Sequence, residues 1–198
     1  MSDATPPPDS AGAPDSGSPD FETLYRDYGG RVLNLAFRMT GDGELSRDLT
    51  QEIFIKVYEH IDDFEGKSQV FTWIYRIATN HILNALKKNK RRRLMDFLDR
   101  PLGEVLTDKT VEADYWAAHS PATPDRVMEK REREQLVWRT IRSLPPKYRM
   151  PLVMFRYDEL SYQEIAAATG LSLSAVETRI HRARKMLVER LTPLLEKM

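Results

Sequence analysis

The sequence contains no cysteine, which excludes disulfide bonds and thiolate metal sites. Its four histidines show no metal-ligand spacing, so we expect no metal site and no cofactor. No apolar run approaches the roughly 20 residues that cross a bilayer, and the start of the chain lacks the basic end and apolar core of a signal peptide. These absences predict a soluble, cytoplasmic protein without direct membrane insertion.

The chain also lacks net charge, because 30 lysines and arginines balance 30 aspartates and glutamates. The balance is a cancellation between separate regions. Residues 1–20 and 94–120 are predominantly acidic, whereas basic side chains gather at 87–93 and 179–185. The clusters are therefore more informative than the total about a nucleic-acid partner.

Helical spacing recurs along the chain and no stretch alternates with a period of two, which predicts an all-α fold. Residues 1–20, rich in proline and aspartate, are predicted to form a disordered tail. Residues 94–124 have no sustained period and are long for a loop within one domain. We therefore predict two small helical domains, at 21–93 and 125–198, joined by a flexible acidic linker at 94–124.

The first domain is predicted to begin with two helices. One starts at the N-cap Asp20, turns Tyr25 toward the core, and ends at the Gly-Asp-Gly of 41–43. The other runs from about Glu44 to Ile61. Its outer side carries Asp48, Gln51, Glu52 and Ile55. A solvated surface explains the polar members of this set, and the exposed Ile55 alone hints at a partner.

A third helix is predicted over 70–93, after a loop in which Ser68 is a candidate cap. One side is an ordinary core stripe of Phe71, Ile74, Ala78, Ile82 and Ala85. The opposite side carries Trp73, Arg76, Asn80, Asn84 and Lys87. An indole can stack on a base, amides can bond a base edge, and the cations, together with Lys88 and the following arginines, can neutralise phosphates. The alternative is a core helix with a solvated basic end.

Residues 161–191 have the pattern of a helix-turn-helix. Ser161 and Glu164 form a capping box, Gly170 ends the first helix, and the second begins at Ser172 or Ser174. The outer side of the second helix carries Ser174, Thr178, His181, Arg182 and Lys185, flanked by Arg179 and Arg184. Such a basic helix is suited to the major groove. The alternative is a generic helical hairpin with a solvated basic face.

Two runs of sequence resemble a known family. The run DLTQEIF followed by FTWIYRIATN resembles region 2 of the extracytoplasmic-function (ECF, group IV) sigma factors of bacterial RNA polymerase. The run LSYQEIAAATGLSLSAVETRIHRARKML resembles region 4 of the same family. The match covers about 21–93 and 125–191, in the order of the family. The acidic N-terminal tail is not part of the family core.

The resemblance implies a role for each surface. The residues expected to dock on core polymerase are Asp48, Gln51, Glu52 and Ile55. Those expected to capture a flipped base of the −10 element or to face its melted strand are Phe64, Lys67, Ser68, Phe71, Trp73, Arg76, Asn80, Asn84, Lys87 and Lys88. Those expected to read the −35 element are Ser174, Glu177, Thr178, Arg179, His181, Arg182 and Lys185.

The resemblance also implies the partners. These are core RNA polymerase, through its beta and beta-prime subunits, promoter DNA in duplex and melted form, and an anti-sigma factor. The protein is then not an enzyme and has no catalytic residues. A helix-turn-helix regulator that binds duplex DNA without polymerase is the alternative, but it leaves the Trp73 and Asn80 side without a purpose. A base-flipping enzyme is a further rival, and it lacks clustered acid–base or metal-binding residues.

Overall fold

The structure, a computed structural model, describes residues 20–64, 66, 68–98 and 134–195. These residues form seven helices and no strand, which confirms the all-α prediction for them. The helices are α1 (Phe21–Thr40), α2 (Gly43–Glu59), α3 (Val70–Leu98), α4 (helical over 134–142), α5 (Pro146–Tyr157), α6 (Tyr162–Thr169) and α7 (Leu173–Leu195). The predicted tail except Asp20, and most of the predicted linker, lie outside the described residues.

The helix ends follow the predicted capping residues closely. The Asp20 side chain accepts from the Thr23 amide at 3.1 Å, and Gly41 ends α1 at φ 70°. Ser161 and Glu164 form both bonds of the capping box that begins α6. At the start of α7 the Ala175 amide donates to Ser172 Oγ at 3.3 Å, so Ser172 rather than Ser174 is the cap.

Helix α3 differs from its prediction at both ends. The Trp73 amide donates to the Gln69 carbonyl at 3.2 Å and the helix begins at Val70, so Gln69, not Ser68, directly precedes the first turn. The helix also continues to Leu98, five residues into the predicted linker. Residues 94–98 contain no glycine or proline, and leucine and methionine are good helix formers, so nothing stops the helix at Arg93.

The N-terminal domain, α1–α3, packs the predicted core stripe of α3 inward. Ile74, Ala78 and Ile82 are fully buried against α1 and α2. Tyr25 is an exception to the α1 prediction, because 51% of it is exposed. Its ring lies edge-on to Phe54 at 4.9 Å and leaves its other side to solvent.

The C-terminal domain, α4–α7, rests directly against the N-terminal domain. Helix α3 packs on α6, and α1 packs on α5, so one continuous set of buried side chains spans both domains. Gly41, just after α1, lies against the guanidinium of Arg142 in α4, and a Cβ at this glycine would overlap that group. The sequence predicted the two domains but not this contact between them.

Candidate nucleic-acid and partner-binding surfaces

The first candidate surface, the α2 face, consists of Asp48, Gln51, Glu52 and Ile55. Spacings of three and four residues place them on one side of α2, and all four are exposed. Ile55 exposes 56% of its surface on the same side of α2 as the carboxylates of Asp48 and Glu52. The sequence-based grouping of these residues on one open surface is thus reproduced by the fold.

An exposed tyrosine that sequence reasoning missed extends the α2 face by one turn. Tyr58 follows Ile55 by three residues and exposes 64% of its surface. Its ring packs edge-on against Phe21 at 5.3 Å, so α1 holds it in place. The signal was available in the helical spacing from Ile55, but Tyr58 was not included in the predicted set. Ile55 and Tyr58 together present apolar area to a partner.

The second candidate surface, the α3 face, consists of Trp73, Arg76, Asn80, Asn84 and Lys87. All are exposed except Trp73, which is half-buried. The Trp73 ring contacts the ring of Phe64, from the preceding loop, with centroids 5.3 Å apart. The fold therefore brings the predicted base-capturing loop to the start of the predicted strand-reading helix. Lys88 is exposed at the basic end of the same helix.

The residues predicted to capture a flipped base differ in how exposed they are. Ser68 is exposed, and Lys67 lies outside the described residues. The prediction that Phe71 helps to capture a flipped base needs correction, because only 8% of this residue is exposed. Its ring packs on Tyr75 at 4.2 Å, and the Arg31 guanidinium covers it at 4.8 Å. Phe71 is a core residue and does not form a wall for an extruded base.

The third candidate surface, the α7 face, comprises Ser174, Glu177, Thr178, Arg179, His181, Arg182 and Lys185. All are exposed except Arg179, which is half-buried. On the opposite side of α7, Val176, Ile180 and Ala183 are buried, and Leu187 and Leu191 further along are partly buried. The helix therefore presents its polar side as a recognition helix does.

Two residues of α5 that the sequence reasoning missed join the α7 face. Lys147 and Tyr148 line a groove of about 320 Å³ together with Ser174, Thr178, Arg179 and Arg182. Hydrogen bonding to Arg182 and to Lys147 lowers the pKa of the Tyr148 hydroxyl. Pro146 has no N–H, and the Tyr148 and Arg149 amides donate to the Pro145 carbonyl at 2.9 and 3.0 Å. The positive charge of the groove therefore comes from the side chains of Lys147, Arg179 and Arg182. Such a groove suits a phosphate.

Other kinds of site are not found in the parts of the chain that the structure describes. There, no three His, Asp or Glu side chains come together as a metal site. None of the helices in those ranges combines the length and the apolar character needed to cross a bilayer.

Comparisons with known proteins find matches to both domains. Residues 24–92 match the family Sigma-70 region 2, and residues 134–187 match the family Sigma-70, region 4. The ECF RNA polymerase sigma-E factor of Escherichia coli (strain K12) is 34% identical over 181 residues, 89% of each chain. The RNA polymerase sigma-H factor of Pseudomonas aeruginosa is 34% identical over 177 residues, 88% of each chain.

Two solved structures share the fold. Sigma factor RpoE from Bartonella quintana, crystallised with the anti-sigma factor NepR, aligns with a TM-score of 0.62 and 20% identity over 87% of this chain and 96% of that chain. CnrH, in complex with the cytosolic domain of CnrY, aligns with a TM-score of 0.57 and 24% identity over 87% of this chain and 88% of that chain. At these identities the likeness establishes the arrangement of helices alone.

Proposed function

The chain belongs to the ECF sigma factors of the sigma-70 family, and we propose that its three exposed surfaces divide the tasks of transcription initiation. A sigma factor binds core RNA polymerase, directs it to promoters, and helps to melt the DNA where transcription starts. The main support for this proposal is that one chain contains both sigma-70 regions, each with its polar surface open to solvent. We further propose that it works in the cytoplasm and has no catalytic activity of its own.

The α2 face is proposed to dock on the beta-prime subunit of core polymerase. Ile55 and Tyr58 supply apolar area, and Asp48 and Glu52 surround them with negative charge. An apolar centre with a charged rim is the usual composition of a specific protein interface. The carboxylates accelerate and orient the encounter, while burial of Ile55 and Tyr58 contributes most of the affinity.

The α3 face is proposed to bind the melted strand of the −10 element. The bases of this strand become accessible only after the duplex opens, so side chains that stack on or bond to base edges are effective there. Phe64 and Trp73 form an aromatic pair for stacking, Asn80 and Asn84 offer amides, and Lys87 neutralises phosphate.

The α7 face is proposed to read the −35 element in duplex form. Arg182 and Arg179 can fork onto guanine, and Glu177 can accept from a cytosine amino group. Lys147 and Tyr148 lie across the groove from Arg182, so we assign them to a phosphate on the rim of the major groove. In this division, α7 reads the sequence from the base edges, whereas α5 contacts the DNA backbone and positions the domain on it.

We also propose control by an anti-sigma factor. Both solved relatives were determined as complexes, one of them with a named anti-sigma factor. The exposed apolar residues of the α2 face suit a protein partner that competes with polymerase. Such a partner need only cover Ile55 and Tyr58 to prevent docking.

Run-off transcription with purified core polymerase, with and without this chain, tests the proposed function. We expect specific transcripts only when the chain is present. A regulator that acts without polymerase should instead bind duplex promoter DNA tightly by itself, so gel-shift assays of the free chain at physiological salt accompany the transcription assay. Tight specific binding without any transcript would support the alternative and contradict the proposal.

A further inference from the structure

Tyr148 of α5 connects the core of the C-terminal domain to the α7 face. Its ring is partly buried against a small apolar cluster that includes Leu152 of α5 and Ala183 of α7. At the other end of the ring, the Arg182 guanidinium and the Lys147 ammonium donate to the hydroxyl oxygen. The packing of the ring therefore fixes an oxygen beside Arg182, one of the residues proposed to read the −35 element.

Arg182 is exposed and has no acidic partner in the structure. Among the residues that the structure describes, no carboxylate forms an ion pair with it. Arg179 and Lys185, one turn away on either side along α7, are cations and cannot accept a hydrogen bond from it. A long side chain with this freedom samples many rotamers, and holding it in one of them costs conformational entropy. The Tyr148 hydroxyl is therefore well placed to restrain Arg182.

The orientation of the Arg182 guanidinium matters for reading bases. An arginine recognises guanine by donating two parallel hydrogen bonds, to O6 and N7, so the plane of the guanidinium must match the edge of the base. The guanidinium has more N–H donors than this pair of bonds uses, so one donor can stay on Tyr148. A side chain that is already oriented loses less entropy when it binds. An Arg182 restrained by Tyr148 should therefore discriminate between bases better than a free one.

The Tyr148 hydroxyl can also donate to the DNA backbone. Its oxygen accepts from Arg182 and Lys147, and its hydrogen remains available for an acceptor. Lys147 Nζ lies 4.8 Å from the centroid of the Tyr148 ring, so a positive charge stays close to the same hydroxyl. A phosphate oxygen on the rim of the major groove suits both the hydroxyl and the ammonium. One oxygen atom of Tyr148 can thus link a backbone phosphate to a base-reading side chain.

We propose that Tyr148 is a positioning residue for recognition of the −35 element: its hydroxyl orients the Arg182 guanidinium toward the bases while it donates to a DNA phosphate. Placement of the backbone at Tyr148 and reading of the base at Arg182 then depend on each other. Tyr148 contacts no base itself, so its effect on sequence discrimination passes through Arg182. This inference rests on the proposed assignment of the α7 face to the −35 element.

Discrimination between −35 sequences by the holoenzyme tests the proposal. Each position of the −35 element is replaced in turn by the other three bases, and the affinities of the closed complexes are compared as ratios. Arg182→Ala should lose roughly 5- to 150-fold of discrimination at the position that it reads, which identifies that position. Tyr148→Phe keeps the ring but removes the hydroxyl, so it should lower discrimination at the same position by roughly two- to tenfold. Any uniform loss of affinity from the phosphate contact cancels in these ratios.

A double-mutant cycle separates positioning from a general loosening of the domain. In the Arg182→Ala background, Tyr148→Phe should cause no further loss of discrimination. Tyr25→Phe is the matched control, because it removes the hydroxyl of a half-exposed tyrosine of α1 that lies outside the three proposed surfaces. It should leave every ratio at its wild-type value.

A second measurement needs neither DNA nor polymerase. Nuclear magnetic resonance of the full chain, isotope-labelled at its tyrosine rings, follows the ionisation of each hydroxyl, and Tyr148→Phe identifies the signal of Tyr148. The pKa of the Tyr148 hydroxyl should lie below its ordinary value of 10.0 in the wild type. It should rise in Arg182→Ala, because the hydrogen bond from Arg182 is the largest cause of the lowered pKa.

Wild-type discrimination at every position in Tyr148→Phe would overturn the proposal, and so would an equal fall at all positions or a fall that persists in the Arg182→Ala background. A pKa of Tyr148 that Arg182→Ala leaves unchanged would contradict the contact itself. If Arg182→Ala changes no ratio, the proposed reading by Arg182 fails, and the positioning role fails with it. If Arg182→Ala loses discrimination and Tyr148→Phe does not, the positioning role alone fails and the proposed function stands.

Discussion

His81 of α3 contacts Glu52 of α2, with 2.5 Å between His81 Nε2 and Glu52 Oε2. Glu52 belongs to the proposed polymerase-docking surface, and His81 is adjacent in sequence to Asn80 of the proposed −10 surface. The pair thus connects the helix that is proposed to dock with the helix that is proposed to read DNA. Its side chains are 21% and 58% exposed, so the contact orients Glu52 more than it stabilises the fold.

We expect His81→Ala to weaken binding to core polymerase by a small factor, because Glu52 then loses its fixed orientation. Exposed pairs of this kind contribute about 0.2–1 kcal/mol, so the loss should be fivefold at most. A double-mutant cycle with Glu52→Gln, read by the affinity for core polymerase, measures the coupling. Strictly additive losses would show that His81 does not act through Glu52.

Ile55→Glu should weaken binding to core polymerase at least tenfold while the protein stays folded. Burial of an isoleucine side chain in an interface stabilises by about 1.5–3 kcal/mol, and the new carboxylate adds a desolvation cost. Val188→Glu is the matched control, because Val188 is 64% exposed on α7, outside the proposed surfaces. Pull-down with core polymerase gives the affinities. Equal behaviour of the two variants would exclude Ile55 from the interface.

Asn80→Ala and Arg182→Ala should fail at different stages. Loss of a base contact at the −35 element costs roughly 1–3 kcal/mol of discrimination on duplex DNA. Arg182→Ala should therefore weaken the closed complex of the holoenzyme with the promoter. A promoter with a pre-melted bubble should largely restore the activity of this variant. Asn80→Ala should bind duplex promoters normally and open them poorly, because its base is accessible only in the melted strand. Permanganate footprinting of the holoenzyme measures opening. Normal promoter opening by the Asn80→Ala holoenzyme would show that the α3 face is ordinary solvent-exposed surface and does not bind the melted strand.

Lys147→Gln should weaken promoter binding equally for good and poor −35 sequences. A phosphate contact carries no base information, and its loss should lower the slope of log affinity against log salt concentration by about 0.9. Salt titrations with the holoenzyme on two promoters that differ only in the −35 element make the measurement. A loss confined to one promoter would place Lys147 on a base edge instead.

The contribution of Asp158 to stability should fall as the pH rises from about 4 to above 6. Burial raises its pKa from 3.8 to about 6, against the opposing effects of Arg38 and Arg31 and a smaller one of Tyr75. The carboxyl group of Asp158 therefore holds its proton more tightly in the folded state than in the unfolded chain. The contribution is fully present below pH 3.8 and is lost as the pH rises through 6, by about 3 kcal/mol in all.

Asp158→Asn cannot titrate at this position, so it isolates the effect from those of the other carboxylates. The difference in free energy of unfolding between wild type and Asp158→Asn, from urea titrations at a series of pH values, should move in favour of the variant as the pH rises. A difference that stays constant from pH 4 to 7 would contradict the raised pKa.

Much of the placement of the three surfaces could be predicted from local sequence, because the helical period determines which side of a helix is buried. Ile82 and Asn84 were assigned to opposite sides of α3 by spacing alone, and the fold agrees. Phe71 was assigned to the core stripe by its spacing and to the base-capturing loop by the resemblance, because a residue at the start of a helix can face either; its burial agrees with the first assignment. Thr79 and Asp158 could not be recognised, since their partners lie about 90 and 120 residues away in sequence.

Gly41 limits how the sequence can vary at the end of the first helix. Its φ of 70° lies in the left-handed region, which residues other than glycine rarely adopt. A Cβ there would also overlap the guanidinium of Arg142, but that group is the far end of a flexible side chain and can move aside. The backbone angle therefore constrains position 41 more than the contact with Arg142 does. Relatives that share this turn are expected to keep glycine at position 41 while position 142 varies.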